Sequence, residues 1–125
     1  MNKTPARPEG PALIVGQLDE RKGRLLVEIK EDVISTQVAA LREGLRRIID
    51  TAGTAPWKAL YIDLRAARMV DSMGVNWLFA ETMRMKEAKR QVVIRLSSPA
   101  VNRVMQFAGL DKLVTLKFRR RKQTR

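Results

Sequence analysis

Apolar and polar residues alternate through Arg24-Leu25-Leu26-Val27-Glu28-Ile29-Lys30, which puts Leu25, Val27 and Ile29 on one side of an extended chain and Glu28 and Lys30 on the other. The short apolar run Ala12-Leu13-Ile14-Val15 ahead of it predicts a first strand, and Gly23 suits a turn. The two strands are therefore expected to form a hairpin with a rather long, charged connection. Next, Val38, Leu41, Leu45, Ile48 and Ile49 make one stripe at helical spacing, with Arg42, Arg46 and Arg47 largely outside it. Ser35 or Thr36 opens this helix, Gly53 can end it, and Pro56 prevents its return. A strand at Ala59–Leu64 follows, then a helix from about Met73 to Lys89 in which Val75, Leu78, Phe79 and Met83 recur. Gln91–Leu96 reads as another strand. Pro99 sits at the first turn of a last helix that Gly109 terminates, and Leu113–Phe118 alternates again with Val114, Leu116 and Phe118 on one side.

Strands and helices in alternation favour an α/β domain with right-handed crossovers and a sheet that is at least partly parallel. Strands covered on both faces would read as continuous apolar runs. Here Glu28, Lys30, Arg95, Thr115 and Lys117 interrupt them, so the helices are expected mainly on one face. No internal repeat is present. Residues Met1 to Pro11 carry three prolines and a glycine with few apolar groups, which reads as a flexible leader.

The junction between the strand at Ala59–Leu64 and the next helix holds Met69-Val70-Asp71-Ser72-Met73-Gly74. The first amides of a helix lack partners within it, and Asp or Ser usually satisfies one of them, so Asp71 and Ser72 qualify first as caps. Composition narrows the alternatives. The 125 residues make one domain. With neither Cys nor His there is no thiol nucleophile, no Cys/His zinc site and no imidazole-based triad. Closely spaced glycines of the phosphate-cradling kind are absent. Asp63 and Asp71 belong to one strand-loop-helix unit, but a metal ion would need more oxygen ligands than this unit offers. No catalytic constellation survives, so the expectation is a non-enzyme without cofactor or metal. Zero cysteine and the lack of a long apolar run fit a cytoplasmic protein with no membrane insertion.

Charge adds one more feature. The formal net charge is +12, and part of it is concentrated in Arg119, Arg120, Arg121, Lys122 and Arg125. Such a field attracts nucleic acid, anionic membrane or acidic protein surfaces without choosing among them. Aromatic residues are only 5% of the chain, few for base stacking, so nucleic acid is the less favoured partner.

Ile62-Asp63-Leu64, a short loop and then Val70-Asp71-Ser72-Met73-Gly74-Val75 resemble the signature of the STAS family, the anti-sigma factor antagonists. Ser98-Pro99-Ala100-Val101-Asn102-Arg103-Val104, followed by Phe107-Ala108-Gly109-Leu110, is similar to the family's last helix and the turn after it. The resemblance implies a single STAS-like domain over 12–118, a small mixed sheet with interspersed helices, between a leader at 1–11 and a basic tail at 119–125. It implies that Ser72 is phosphorylated by a serine kinase that doubles as the anti-sigma factor, that a serine phosphatase resets it, and that phosphorylation breaks the complex. Asp71, Ser72, Met73, Gly74, Asn76 and Trp77 would then form the partner surface. Asp32 resembles the aspartate before the family's first helix and is a rim residue on this reading. Met73 and Asn76 stand where the family favours small residues, and Trp77 suits either a core position or an interface anchor. A monomer or weak dimer is expected, and the tail reads either as a solvated solubility segment or as one that steers the domain to an acidic partner surface. The alternatives are a scaffold subunit of a larger signalling or transporter-associated assembly and, less favoured, a basic nucleic-acid-binding protein.

Overall fold

The computed structural model describes residues 13–119. The leader, Ala12 of the expected first strand, and Arg120, Arg121, Lys122 and Arg125 of the tail lie outside the described residues. In order, the elements are β1 (Ile14–Asp19), β2 (Arg24–Ile29), α1 (Ser35–Ala52), β3 (Ala59–Asp63), α2 (Ser72–Glu87), β4 (Gln91–Leu96), α3 (Pro99–Phe107), a 3-10 turn at Leu110–Lys112, and β5 (Thr115–Phe118). They build one five-stranded sheet in the order β1-β2-β3-β4-β5. The β1–β2 pair is antiparallel and every later pair is parallel, so the sheet is mixed as expected.

This topology explains the one-sided patterning. From β2 onward each crossover moves one strand in the same direction, and crossovers of one hand then lay every helix on the same face. Leu25, Val27 and Ile29 of β2, Leu60 and Ile62 of β3, and Val92, Ile94 and Leu96 of β4 form the covered face and are buried with Leu41, Leu45, Leu78 and Met105 from the helices. Burying each such side chain is worth about 1.5–3 kcal/mol. The opposite face carries the partners in the other register, Leu26, Tyr61, Val93 and Thr115 in one row and Glu28, Asp63, Arg95 and Lys117 in the next. The Arg24, Arg95 and Lys117 side chains crowd the Tyr61 ring at 4.9, 5.4 and 5.9 Å from its centroid, so long charged stems cover part of the open face.

The sequence reading of β1 needs correction. The strand does not stop at Val15 but runs through Gly16, Gln17 and Leu18 to Asp19, and the hairpin closes with Asp19 opposite Arg24 across a short turn. As an edge strand it needs only one apolar face, and Gly16 hides the alternation because its missing side chain is filled from elsewhere. A Cβ on Gly16 would fall 2.4 Å from Ile48 Cγ2, and one on Gly44 of α1 would fall 2.3 Å from Ile14 Cγ2. Each glycine thus receives an isoleucine from the other element. The last strand also starts later than the alternation suggests, at Thr115. Val114 is buried, but Phe118 is exposed.

This packing gives a stability prediction. Gly44→Ala should favour an isolated helix by about 1 kcal/mol. In the folded chain it should instead be destabilising, by about 1–3 kcal/mol, because the stiff β-branched Ile14 must move. Urea unfolding should show the double variant Ile14→Ala/Gly44→Ala recovering part of that loss relative to Ile14→Ala alone; strict additivity would refute the reciprocal packing.

Candidate functional site

Two loops meet beyond the carboxyl ends of the parallel strands, the one after β2 and the one after β3. Val33 bridges Val70 in parallel pairing. Its amide donates to the Met69 carbonyl at 3.0 Å and its carbonyl accepts from the Asp71 amide at 3.2 Å. Asp32 Oδ1 accepts from the amides of Arg68 at 2.8 Å and Met69 at 3.3 Å. The structure therefore gives Asp32 a definite task, holding the loop that leads to Ser72. Asp63 and Arg65 pair through two side-chain bonds at 2.9 and 2.7 Å, and Ser97 Oγ donates to the Arg65 carbonyl. Burial alone would raise the Asp63 carboxyl, but the Arg65 side chain and amide together hold it below its usual range.

Asp71 caps two helices. Its Oδ1 accepts from the Gly74 amide at 2.9 Å, the local cap of α2. Its Oδ2 accepts from the Ser35 amide at 2.8 Å, at the start of α1. The N-cap position of α1 is Ile34, which has no side chain able to do this. The Gly74 amide first, then that of Ser35, hold the Asp71 carboxyl below the usual carboxylate range.

Ser72 is the first residue of α2 and is exposed. Among the described residues its hydroxyl makes no hydrogen bond to another side chain. Gly74 is buried, and a Cβ there would lie 2.1 Å from the Val33 carbonyl oxygen. Its role is close packing of α2 against the Val33 backbone rather than direct contact with a partner. Met73 and Asn76 face solvent. Trp77 does not: at 3% exposure it is core, with its indole Nε1 donating to Glu81 Oε2 at 3.0 Å inside the fold. The anchor reading of Trp77 is therefore corrected.

The apolar stripe expected on α2 is also revised. Leu78 is buried and Val75 half-buried, while Phe79 and Met83 face outward with Met73. Spacing places Ser72, Asn76, Phe79 and Met83 on one exposed side of the helix. Beside it a groove of about 650 Å³ runs between α2 and α3, with walls from Val70, Val75, Ala100 and Val104 and a rim that includes Ser72, Asn76, Arg103 and Phe107. Phe107 is 97% exposed. Reading single elements missed this groove because it joins helices separated by an entire strand. The cue present in the sequence was an apolar α2 with polar Glu81 and Thr82 at inward positions. No helix of the described residues is long and apolar enough to cross a membrane, and none of them form a group of three or more acidic side chains that could hold a metal ion.

The STAS domain family model matches residues 17–124, from β1 through the end of the sheet and beyond. The chain belongs to the STAS domain family. Solved structures with this fold include one from Thermotoga maritima (9% identity, TM-score 0.71, covering 85% of this chain and 86% of that one). Another is an anti-sigma factor antagonist from Mycobacterium paratuberculosis (22% identity, TM-score 0.67, 86% and 88%). A third is the anti-sigma factor antagonist SpoIIAA in its unphosphorylated form (16% identity, TM-score 0.61, 82% and 87%). At these identities the likeness is one of fold.

Two predictions test the architecture of this STAS domain. Asp71→Ala should lower the denaturant midpoint more than Ser98→Ala does, since Ser98 caps only the Val101 amide of α3 and such a cap is worth about 1 kcal/mol. Because the folded-state pKa of Asp71 is depressed, its contribution is complete above the unfolded carboxylate value of about 4 and disappears as pH falls through the folded value. The gap between wild type and Asp71→Ala should therefore be constant from neutral pH to about pH 5 and close in more acidic solution; a gap that widens there would contradict it. Separately, Gly74→Val should cost at least about 2 kcal/mol, since the obstacle is backbone, whereas Asn76→Ala should stay within about 0.5 kcal/mol. Equal midpoints for the two would show that the close approach at Val33 is not needed.

Proposed function

We propose that this STAS domain acts as an anti-sigma factor antagonist by partner switching, with Ser72 as the phosphoacceptor. A serine-kinase-type anti-sigma factor binds the unmodified face, phosphorylation of Ser72 releases it, and a serine phosphatase restores it. The observation that carries the reading is the Ser72 hydroxyl, exposed and, among the described residues, without a side-chain partner, on the rim of an apolar groove. Supporting it are solved structures of similar fold that are anti-sigma factor antagonists, one of them, SpoIIAA, known in a phosphorylated form.

The surface suits such a switch. Met69, Met73, Phe79, Met83 and Phe107 are exposed apolar side chains around Ser72, where flexible methionines can adapt to a partner. A phosphate brings about −1.5 to −2 charges. At the first residue of α2 the helix end offsets that charge by roughly 0.3–1 kcal/mol, while Asp71 next to it repels. The fold therefore absorbs the modification. A docked partner does not, because the dianion must be desolvated against an apolar face. A penalty of about 3 kcal/mol there lowers affinity more than a hundredfold.

The test is phosphate transfer from the cognate kinase and ATP. Wild type should be labelled and Ser72→Ala should not; label on the alanine variant would exclude Ser72 as the acceptor. Ser72→Asp should bind the kinase at least about tenfold more weakly while its thermal midpoint stays within about 2 °C of wild type.

A further inference from the structure

The end of the sheet opposite Ser72 has a different character. There the β1–β2 turn, the start of β3 and the link from α2 to β4 surround a hollow of about 490 Å³, lined by Lys22, Arg24, Lys58, Tyr61, Lys89 and Gln91 together with backbone of Gly23 and Ala59. Four cations from three separate segments thus line one concavity, and no carboxylate is among its described lining residues, Asp19 standing beside it at Arg24. Arg24 is partly engaged, with Asp19 Oδ2 at 3.3 Å and the Tyr61 ring beneath it. Lys22, Lys58 and Lys89 are exposed and take part in none of the ion pairs found among the described residues.

Lys89 adds an independent observation. It stands just past the C-terminus of α2 with φ +62°, where the Lys89 amide donates to Lys86 O and the Arg90 amide returns to Met85 O, both at 2.9 Å. That closure favours glycine, which has no Cβ to strain a left-handed backbone. The other described residues with positive φ, at 23, 53 and 109, are all glycine, and Gly53 follows the end of α1. Lys89 is the one non-glycine among them, at a position where glycine would be easier. A lysine here can complement the negative end of α2, but that role does not account for Lys22 and Lys58 arriving from other segments.

We propose that this hollow is a binding site for an anionic group carrying several phosphates. Cations gathered around one hollow make the local potential positive, which favours an anion there. A single carboxylate would leave most of the charge uncompensated, whereas a phosphate cluster carries several negative charges and acceptor oxygens on each phosphorus. Lysines bind phosphate as mobile point charges and do not need the planar match that arginine makes. The Tyr61 ring walls the hollow but is already crowded by Arg24, Arg95 and Lys117, so the site reads the phosphates and not an attached ring. A free oligophosphate and the backbone of a nucleic acid share this chemistry.

The test uses the full chain and two probes at low salt, inorganic tripolyphosphate and a single-stranded DNA oligonucleotide, measured by calorimetry. Lys22→Gln/Lys58→Gln/Lys89→Gln should weaken binding of the better probe by about tenfold or more. Arg42→Gln/Arg46→Gln/Arg47→Gln, which removes the same charge from the exposed side of α1, should change it by less than about twofold. Preference for tripolyphosphate at equal phosphate concentration assigns the site to free oligophosphates, preference for DNA assigns it to a backbone, and either result supports the proposal. Binding of neither probe, or equal loss in both triple variants, overturns it. Lys89→Gly should both raise the thermal midpoint, by about 3 °C, and weaken binding. A Lys89→Gly protein that binds like wild type would overturn the assignment of Lys89 and with it the proposal.

Discussion

The carboxylate of Asp71 is the joint on which the upper end of this molecule depends. One oxygen closes the start of α2 and the other closes the start of α1, from 36 residues away in the chain. A local cap would fix only the helix that carries it. This one fixes two helices relative to each other, and the Val33–Val70 bridge and the Asp32 bonds to Arg68 and Met69 lock the intervening loops to the same frame. Gly74 completes the arrangement, since only a residue without a Cβ lets α2 approach the Val33 carbonyl. Ser72 directly follows Asp71 in the chain, so its position is set by tertiary bonds as well as by the helix.

How much of this could be read from the chain follows from what each element has to satisfy. β2 and β4 were legible almost to the residue because a sheet with helices on one face imposes alternation; β2 obeys it throughout, and β4 departs from it only at Val93, which is buried on the other face. The ends of α1 and α3 were legible from Gly53, Pro99 and Gly109, whose backbone preferences act locally. β1 was not, because its inward positions include a glycine whose space Ile48 fills. α2 misled for the opposite reason. Its buried side accepts Trp77, Glu81 and Thr82, with the indole and carboxylate satisfying each other, and its outer side shows Phe79 and Met83. A helix that is apolar nearly all round does not announce which way it faces.

The site divides the same way. The motif Asp71-Ser72-Met73-Gly74 identified the junction and the cap on α2. Nothing local announces the second bond of Asp71 to Ser35 or the task of Asp32, since each joins positions more than thirty residues apart. Trp77 shows the same limit: two residues beyond the half-buried Val75, it could face either way until the packing of α1 and α2 was known.

The two ends of the sheet differ in what they ask of a partner. The groove beside Ser72 offers apolar surface with little charge beyond Asp71 and Arg103, so affinity there would come from excluding water, and added charge would act against it. The opposite end offers cations with little apolar surface, so any affinity there is electrostatic and falls with salt. Charges separated by the length of the sheet are screened from one another at ordinary ionic strength, where fields decay over about 8–10 Å. On the proposed reading, a phosphate on Ser72 would be felt by a partner in the groove and hardly at all by an anion at the other end. The fold that joins them, anchored on backbone-to-carboxylate bonds at Asp71 and on an apolar core, need not change shape for either event.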